Sequence, residues 1–216
     1  MTTNPLHTLE QCGQSIWLDS LSRELINSGT FARLVREDGI SGVTANPSIF
    51  EKAIVGSHDY DEDIRALGAT GQPPIRIYED LAIQDVATAA DILRATYDRR
   101  QAEDGFVSIE VSPDLAHDTR ASIDEARRFW RELDRPNIMV KIPATSEGIP
   151  AIEQLTAEGI NVNITLIFAV EMYERVMDAY LTGLERRVRQ EQPIDHIASV
   201  ASFFVSRVDT LVDTRL

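Results

Sequence analysis

The sequence predicts an α/β fold whose parallel strands close into a barrel. Two observations carry this expectation. Short apolar strands alternate with longer helical stretches along the 216 residues, the order that parallel pairing requires. The strands also have one apolar and one polar parity, whereas strands buried in an open parallel sheet read as unbroken apolar runs. Val107, Ile109 and Val111 oppose Ser108, Glu110 and Ser112, and Ile160, Val162, Ile164 and Leu166 oppose Asn161, Asn163 and Thr165. Ile138, Val140 and Ile142 oppose Met139, Lys141 and Pro143. Ile16 and Leu18 oppose Trp17 and Asp19, and Val43 and Ala45 oppose Thr44 and Asn46. A period of two sends each set to one side. A solvent-exposed sheet face would accommodate the polar set, but helices in every connection normally cover both faces of an open sheet. A closed barrel accounts for it better, because its interior takes the polar set.

The elements follow in order. Ser15–Ser20 is the first strand, and Phe31–Glu37 reads as a helix stopped by Gly39. Ser41–Asn46 is the second strand. Asn46-Pro47 places a capping residue before a proline at the first helical position. A long helical insertion at about 47–105 begins there and contains Ile75–Arg99; the acidic run at 59–63 reads as a helix start within it. Phe106–Ser112 is the third strand, followed by an amphipathic stretch, Pro113–Leu133. Asn137–Ala144 is the fourth, and the helix Ala151–Ala157 stops at Gly159. Asn161–Phe168 is the fifth. In Ala169–Arg189, Val170, Tyr173, Val176, Met177 and Tyr180 have helical spacing. His196–Val205 is the sixth strand. No repeat, low-complexity tract or long linker divides residues 1–216, so one domain is expected.

Composition excludes several function classes. Thirty-five acidic against 21 basic residues give a net charge of −14, which repels nucleic-acid phosphates and anionic membrane surfaces. At 43% hydrophobic the chain is globular. A single cysteine, Cys12, rules out an internal disulfide framework and Cys-rich zinc sites. No apolar run reaches the ~18–20 residues of a membrane helix, and Met1–Gln11 lacks a signal-peptide pattern. A cytoplasmic location is expected. His7, His58, His117 and His196 have no metal-ligand spacing. The run from Asp59 opens like a calcium loop, but Ile64 stands where glycine is needed and Thr70 where glutamate is needed. Nucleophile-elbow, dinucleotide and P-loop fingerprints are absent from the sequence. No metal and no cofactor are expected.

Only two of the basic residues are lysines. Lys52 follows Glu51 in a helical stretch and reads as a surface residue. Lys141 lies mid-strand, where lysine is seldom buried without a reason. It either snorkels to solvent or serves as an amine nucleophile. A lysine in water is protonated and inert near neutral pH; desolvation disfavours the ammonium and frees a lone pair that can attack a carbonyl. The Schiff base so formed withdraws electrons from the neighbouring carbon–carbon bond. Such chemistry needs acid/base groups. Glu110 and Asp19 share the polar parity on other strands, and two inward carboxylates beside a lysine are costly to bury without a purpose.

Three stretches carry a family resemblance. Asn137–Leu155, around Val140-Lys141-Ile142-Pro143-Ala144-Thr145, resembles the active-site lysine signature of transaldolases. Ser41-Gly42-Val43-Thr44-Ala45-Asn46-Pro47-Ser48-Ile49-Phe50 resembles their second-strand signature, and Gly159–Phe168 the strand after the lysine. The resemblance covers essentially the whole chain and is closest to the longer, actinobacterial type. It implies a TIM-type (β/α)8 barrel and a metal-free Schiff-base mechanism. The implied reaction moves a dihydroxyacetone unit from sedoheptulose 7-phosphate to glyceraldehyde 3-phosphate in the pentose phosphate pathway, so the implied partners are sugar phosphates. By the same resemblance Lys141 is the Schiff-base lysine, Glu110 works through a catalytic water, Asp19 handles the substrate hydroxyl proton, and Thr165 orients the water. Asn46, Asn163 and Ser202 hold substrate hydroxyls and the intermediate, and Arg207 binds phosphate, for which a guanidinium fork is suited.

Two departures from the family pattern stand out. Ser206 occupies a position where many relatives carry glycine. Six strands are countable where the family's barrel has eight, so the chain is expected to hold about six βα units and to lack the last two strands, with a second basic phosphate contact. The alternatives to a transaldolase are a Schiff-base aldolase that releases dihydroxyacetone, such as a fructose 6-phosphate aldolase, and a non-catalytic truncated fragment.

Overall fold

A computed structural model describes residues 4–216. The backbone divides into two compact units, one comprising the residues up to Ile109 with Glu132–Ile138, the other Glu110–Arg131 with Met139–Leu216.

The first unit contains α1 (Pro5–Gln11), β1 (Trp17–Leu18), α2 (Arg23–Asn27), α3 (Thr30–Glu37), β2 (Gly42–Thr44), α4 (Pro47–Gly56), α5 (Asp61–Ala69), α6 (Pro74–Arg99) and β3 (Val107–Glu110) as far as Ile109. β1, β2 and β3 are parallel neighbours, with Trp17 opposite Gly42 and Val43 opposite Val107. The Trp17 ring lies where a side chain on Gly42 would stand, its nearest atom 2.3 Å from that position. Only glycine lets the two strands pair beneath the indole. The Trp17 indole N–H donates to Asp104 Oδ1 at 3.2 Å, and the Ser15 hydroxyl to Asp104 Oδ2 at 2.6 Å.

The long insertion is three helices, α4, α5 and α6. Asn46 caps α4 by accepting the Ile49 N–H at 2.9 Å. Asn4 caps α1 in the same way, with Pro5 at the first helical position. Leu81, Val86, Ala89, Ala90 and Leu93 form the buried stripe of α6, and Phe31, Phe50, Tyr60 and Phe106 are buried in the same unit. Arg23 and Tyr60 converge on the buried carboxylate of Asp85. The Arg23 Nε donates to Oδ1 at 3.0 Å, and the Tyr60 hydroxyl to Oδ2 at 2.7 Å. Arg23 also pairs with Asp63 and stacks on the Tyr60 ring at 4.5 Å. One buried polar knot thereby joins α2, α5 and α6.

The second unit contains most of α7 (Thr119–Leu133), β4 (Ile138–Pro143) from Met139 onward, α8 (Gly148–Glu158), β5 (Val162–Ile167), α9 (Val170–Arg189), β6 (Ser199–Phe203) and α10 (Val205–Asp213). β4, β5 and β6 are again parallel neighbours in chain order. Arg187 is buried and supports the end of α8, donating to the carbonyls of Ala157 and Pro193.

Several boundaries differ from the sequence reading. The first strand is two residues long. Pro113–Leu133 breaks into a 3₁₀ turn (Pro113–Leu115) and α7, because Thr119 begins a new helix. The sixth strand ends at Phe203, and Val205 starts α10. The alternation in β5 also fails at its end. Leu166, assigned to the apolar buried parity, is 42% exposed. Its backbone is left-handed, with φ 60°, and the pairing shifts between Ile164 and Ile167. Ile164 lies opposite Ala201 and Ile167 opposite Phe203, so β5 uses one extra residue. This bulge turns Leu166 outward and brings Ile167 into the buried phase.

Candidate active site

The polar parity assembles around Lys141. β4 is buried at every position, and Lys141 is only 6% exposed. Its Nζ lies 3.2 Å from Glu110 Oε2, and the Glu110 side chain is 16% exposed. The backbone holds them in step, since the Val111 N–H donates to the Lys141 carbonyl at 3.2 Å. Lys141 is in register with Asn163 on β5, and Pro143 with Thr165. Asn163 and Thr165 are buried. The Ser202 hydroxyl, from β6, donates to Asn163 Oδ1 at 2.9 Å. Glu110, Lys141, Asn163 and Ser202 thus form a polar row across successive strands, with Thr165 one pleat further along β5. A buried amine beside a carboxylate and amide groups can bind a polyhydroxylated substrate and exchange protons with it.

Arg207 lies outside this row. It is exposed on the first turn of α10, with its guanidinium 4.5 Å above the Phe204 ring. Phe204 stacks on Phe168, ring centroids 5.2 Å apart. The sequence motif around Ser202 did not reveal this aromatic platform.

Asp19 and Asn46 belong to the first unit. Asp19, expected on the polar parity, lies just beyond the end of β1 at Leu18, and its side chain is exposed. It accepts a hydrogen bond from the Thr44 hydroxyl at 3.1 Å. Thr44 is a neighbour that sequence reasoning missed, although it stood on the same polar parity. Asn46 is half-buried, and its Oδ1 is engaged in the α4 cap. Lys52 is exposed on α4, as its place after Glu51 indicated.

The loops after β3 and β4 are also tied together. The Thr145 hydroxyl donates to the Ala116 carbonyl, and the Thr119 hydroxyl to the Glu147 carbonyl, both at 2.6 Å. Among the described residues no group of three or more His, Cys, Asp or Glu could hold a metal ion, and no helix is long and apolar enough to cross a membrane.

A family model described as Transaldolase/Fructose-6-phosphate aldolase matches residues 16–216. The chain belongs to the transaldolase/fructose-6-phosphate aldolase family. Among transaldolases, it is 53% identical over 210 residues to "Transaldolase 2" of Nostoc punctiforme, covering 97% of this chain and 55% of that protein. It is 53% identical over 217 residues to the transaldolase of Saccharopolyspora erythraea, covering 100% of this chain and 59% of the relative. The transaldolase of Thermobifida fusca is 47% identical over 213 residues, with 99% and 58% covered. The chain therefore spans little more than half the length of the curated relatives it matches. Its fold class is the TIM-type (β/α)8 barrel of this family, of which the described residues supply six βα units.

Proposed function

We propose that this chain carries the Schiff-base site of a transaldolase, with Lys141 as the nucleophile. The observation that carries the reading is a buried Lys141 amine 3.2 Å from the Glu110 carboxylate, in a chain of this family. The Lys141 amine attacks the C2 carbonyl of sedoheptulose 7-phosphate. Glu110, through a water oriented by Thr165, protonates the departing hydroxyl of the carbinolamine, and water leaves. The resulting iminium draws electrons from the C3–C4 bond. The C4 hydroxyl proton goes to a carboxylate, a role that the family pattern assigns to Asp19. Erythrose 4-phosphate leaves, and the three-carbon enamine stays on Lys141. Its carbon adds to the aldehyde of glyceraldehyde 3-phosphate, and hydrolysis then frees fructose 6-phosphate and the amine. Asn46, Asn163 and Ser202 bind hydroxyls, and Arg207 takes the phosphate. The setting that fits these substrates is cytoplasmic sugar-phosphate metabolism, in the pentose phosphate pathway.

Incubation with fructose 6-phosphate and sodium borohydride should fix a reduced dihydroxyacetone adduct on the Lys141 peptide. An adduct on Lys52, or none, would overturn the reading. The family's description also covers fructose 6-phosphate aldolases. Comparing product formation with and without an aldehyde acceptor separates the two: transfer requires the acceptor, whereas an aldolase releases free dihydroxyacetone without it.

A further inference from the structure

We propose that Thr145 and Thr119 form a clasp between the loops after β3 and β4, and that this clasp positions Glu110 against Lys141. The inference rests on the reading of Lys141 as the reactive amine. The two hydroxyl-to-carbonyl bonds join the same two loops in opposite directions. Thr145, from the loop after β4, donates to Ala116; Thr119, beyond the loop after β3, donates back to Glu147. Each loop is also fixed at its base. The Gly148 N–H donates to Thr145 Oγ1 at 2.9 Å, so this hydroxyl is engaged on both sides. The Ser112 N–H donates to Glu125 Oε2 at 2.6 Å, and the Ser122 hydroxyl to the Leu115 carbonyl at 2.9 Å, which hold the β3 loop to the start of α7.

The loops begin directly after the strands that carry the two reacting groups. Pairing between β3 and β4 ends near Val111 and Lys141, so the clasp is the next tie between the extensions of these two strands. The 3.2 Å between Nζ and Oε2 leaves little tolerance, because a site displaced by about 1 Å loses much of its proton-transfer and electrostatic effect. Valine in place of Thr145 keeps the shape but removes the donor, leaving the Ala116 carbonyl without it. Serine keeps the donor. Thr145 and Thr119 are thus positioning residues, acting through the loops and touching no substrate.

Two lysines make a direct test practical. Limiting acetic anhydride labels amines in proportion to their reactivity, and exposed Lys52 serves as the internal reference for Lys141. The ratio of labelling is read by mass spectrometry across a pH series. Thr145→Val should change the Lys141/Lys52 ratio at least about threefold and displace its pH profile, whereas Thr145→Ser should retain both. Thr119→Val should act in the same direction. In a Glu110→Gln background Thr145→Val should add nothing, because the clasp acts through Glu110. An unchanged profile overturns the proposal, as does the same change with and without Glu110. If Thr145→Val loses its cooperative melting transition, Thr119→Val against Thr145→Ser decides. Borohydride trapping on the unaltered chain is scored separately. Its failure removes the Schiff-base reading, while the labelling ratio still decides the clasp.

Discussion

Asp85 shows how one residue's surroundings set its chemistry. Burial is the largest influence on this carboxyl and raises its pKa, and the contacts from Tyr60 and Arg23 offset that only in part. The same burial, with Asp85 as acceptor, pushes the Tyr60 phenol upward. The sign of the stability effect follows. The native chain holds the Asp85 proton more tightly than the unfolded chain, so this group's contribution is complete below the ordinary carboxylate range. It is lost as pH rises through the native value. Urea titrations from about pH 4 upward should therefore show the stability difference between the unaltered chain and Asp85→Asn shrinking as pH rises. A difference that grows with pH would contradict this assignment. Asparagine keeps one acceptor oxygen but turns an NH2 donor toward the other of the two donors, Arg23 Nε and the Tyr60 hydroxyl, which should itself cost about 1–3 kcal/mol at low pH. Legibility also varied residue by residue. Lys141 was readable because an ammonium in the middle of an apolar strand has few explanations. The Asp85 knot was not, because a carboxylate in an amphipathic helix reads as surface until its neighbours from α2 and α5 are known. Asp19 follows the end of β1, yet it is hydrogen-bonded to Thr44 of the same polar parity.

At the scale of elements, the junction of β4 and α8 is the most constrained. A side-chain carbon on Gly148 would lie 2.0 Å from the Pro143 carbonyl oxygen and 3.1 Å from Thr145 Oγ1. The first of these is backbone and cannot swing away. Gly148→Ala should cost about 1–3 kcal/mol, measured as a lower urea midpoint with an unchanged slope. The bulge in β5 invites the opposite change. Leu166 adopts a left-handed conformation that leucine disfavours by about 1–2 kcal/mol. Asparagine tolerates that conformation, and the side chain is 42% exposed. Leu166→Asn should raise the melting temperature, and a lower value would show that the leucine contributes contacts that outweigh its backbone cost. Elements with a strong period or cap were legible: the span of α6 and the Asn46-Pro47 start of α4. α9 was legible as a helix but its face was not, since Val170, Tyr173 and Met177 are exposed and the buried positions are Val176, Ala179, Gly183 and Arg187. The same Asn–Pro pair at the start of α1 went unread because no apolar period followed it. The bulge was hidden for a different reason. An extra residue shifts the phase of a strand without changing its composition, and the consecutive apolar residues Leu166-Ile167 do not say which of the two takes the buried face.

Over the molecule as a whole, net charge and exposed apolar surface oppose each other. The formal charge of −14 favours separate, soluble chains. Against it, the second unit exposes Tyr173, Met177 and Leu181 on α9, Phe203 on β6, and Val208 and Leu211 on α10. An apolar face of this kind favours association. Which term prevails depends on salt, because repulsion between chains is screened while apolar burial is not. The screening length falls from about 30 Å at 0.01 M to about 8 Å at 0.15 M salt. Sedimentation velocity should therefore show mostly single chains at the lower ionic strength and a growing associated fraction at the higher one. Leu181→Glu combined with Leu211→Glu should suppress that growth by adding charge to the apolar face itself. A charge change elsewhere, such as Lys52→Glu on exposed α4, should only move the onset to slightly higher salt. A single species at both ionic strengths, or equal suppression by Lys52→Glu, would show that this face does not govern association.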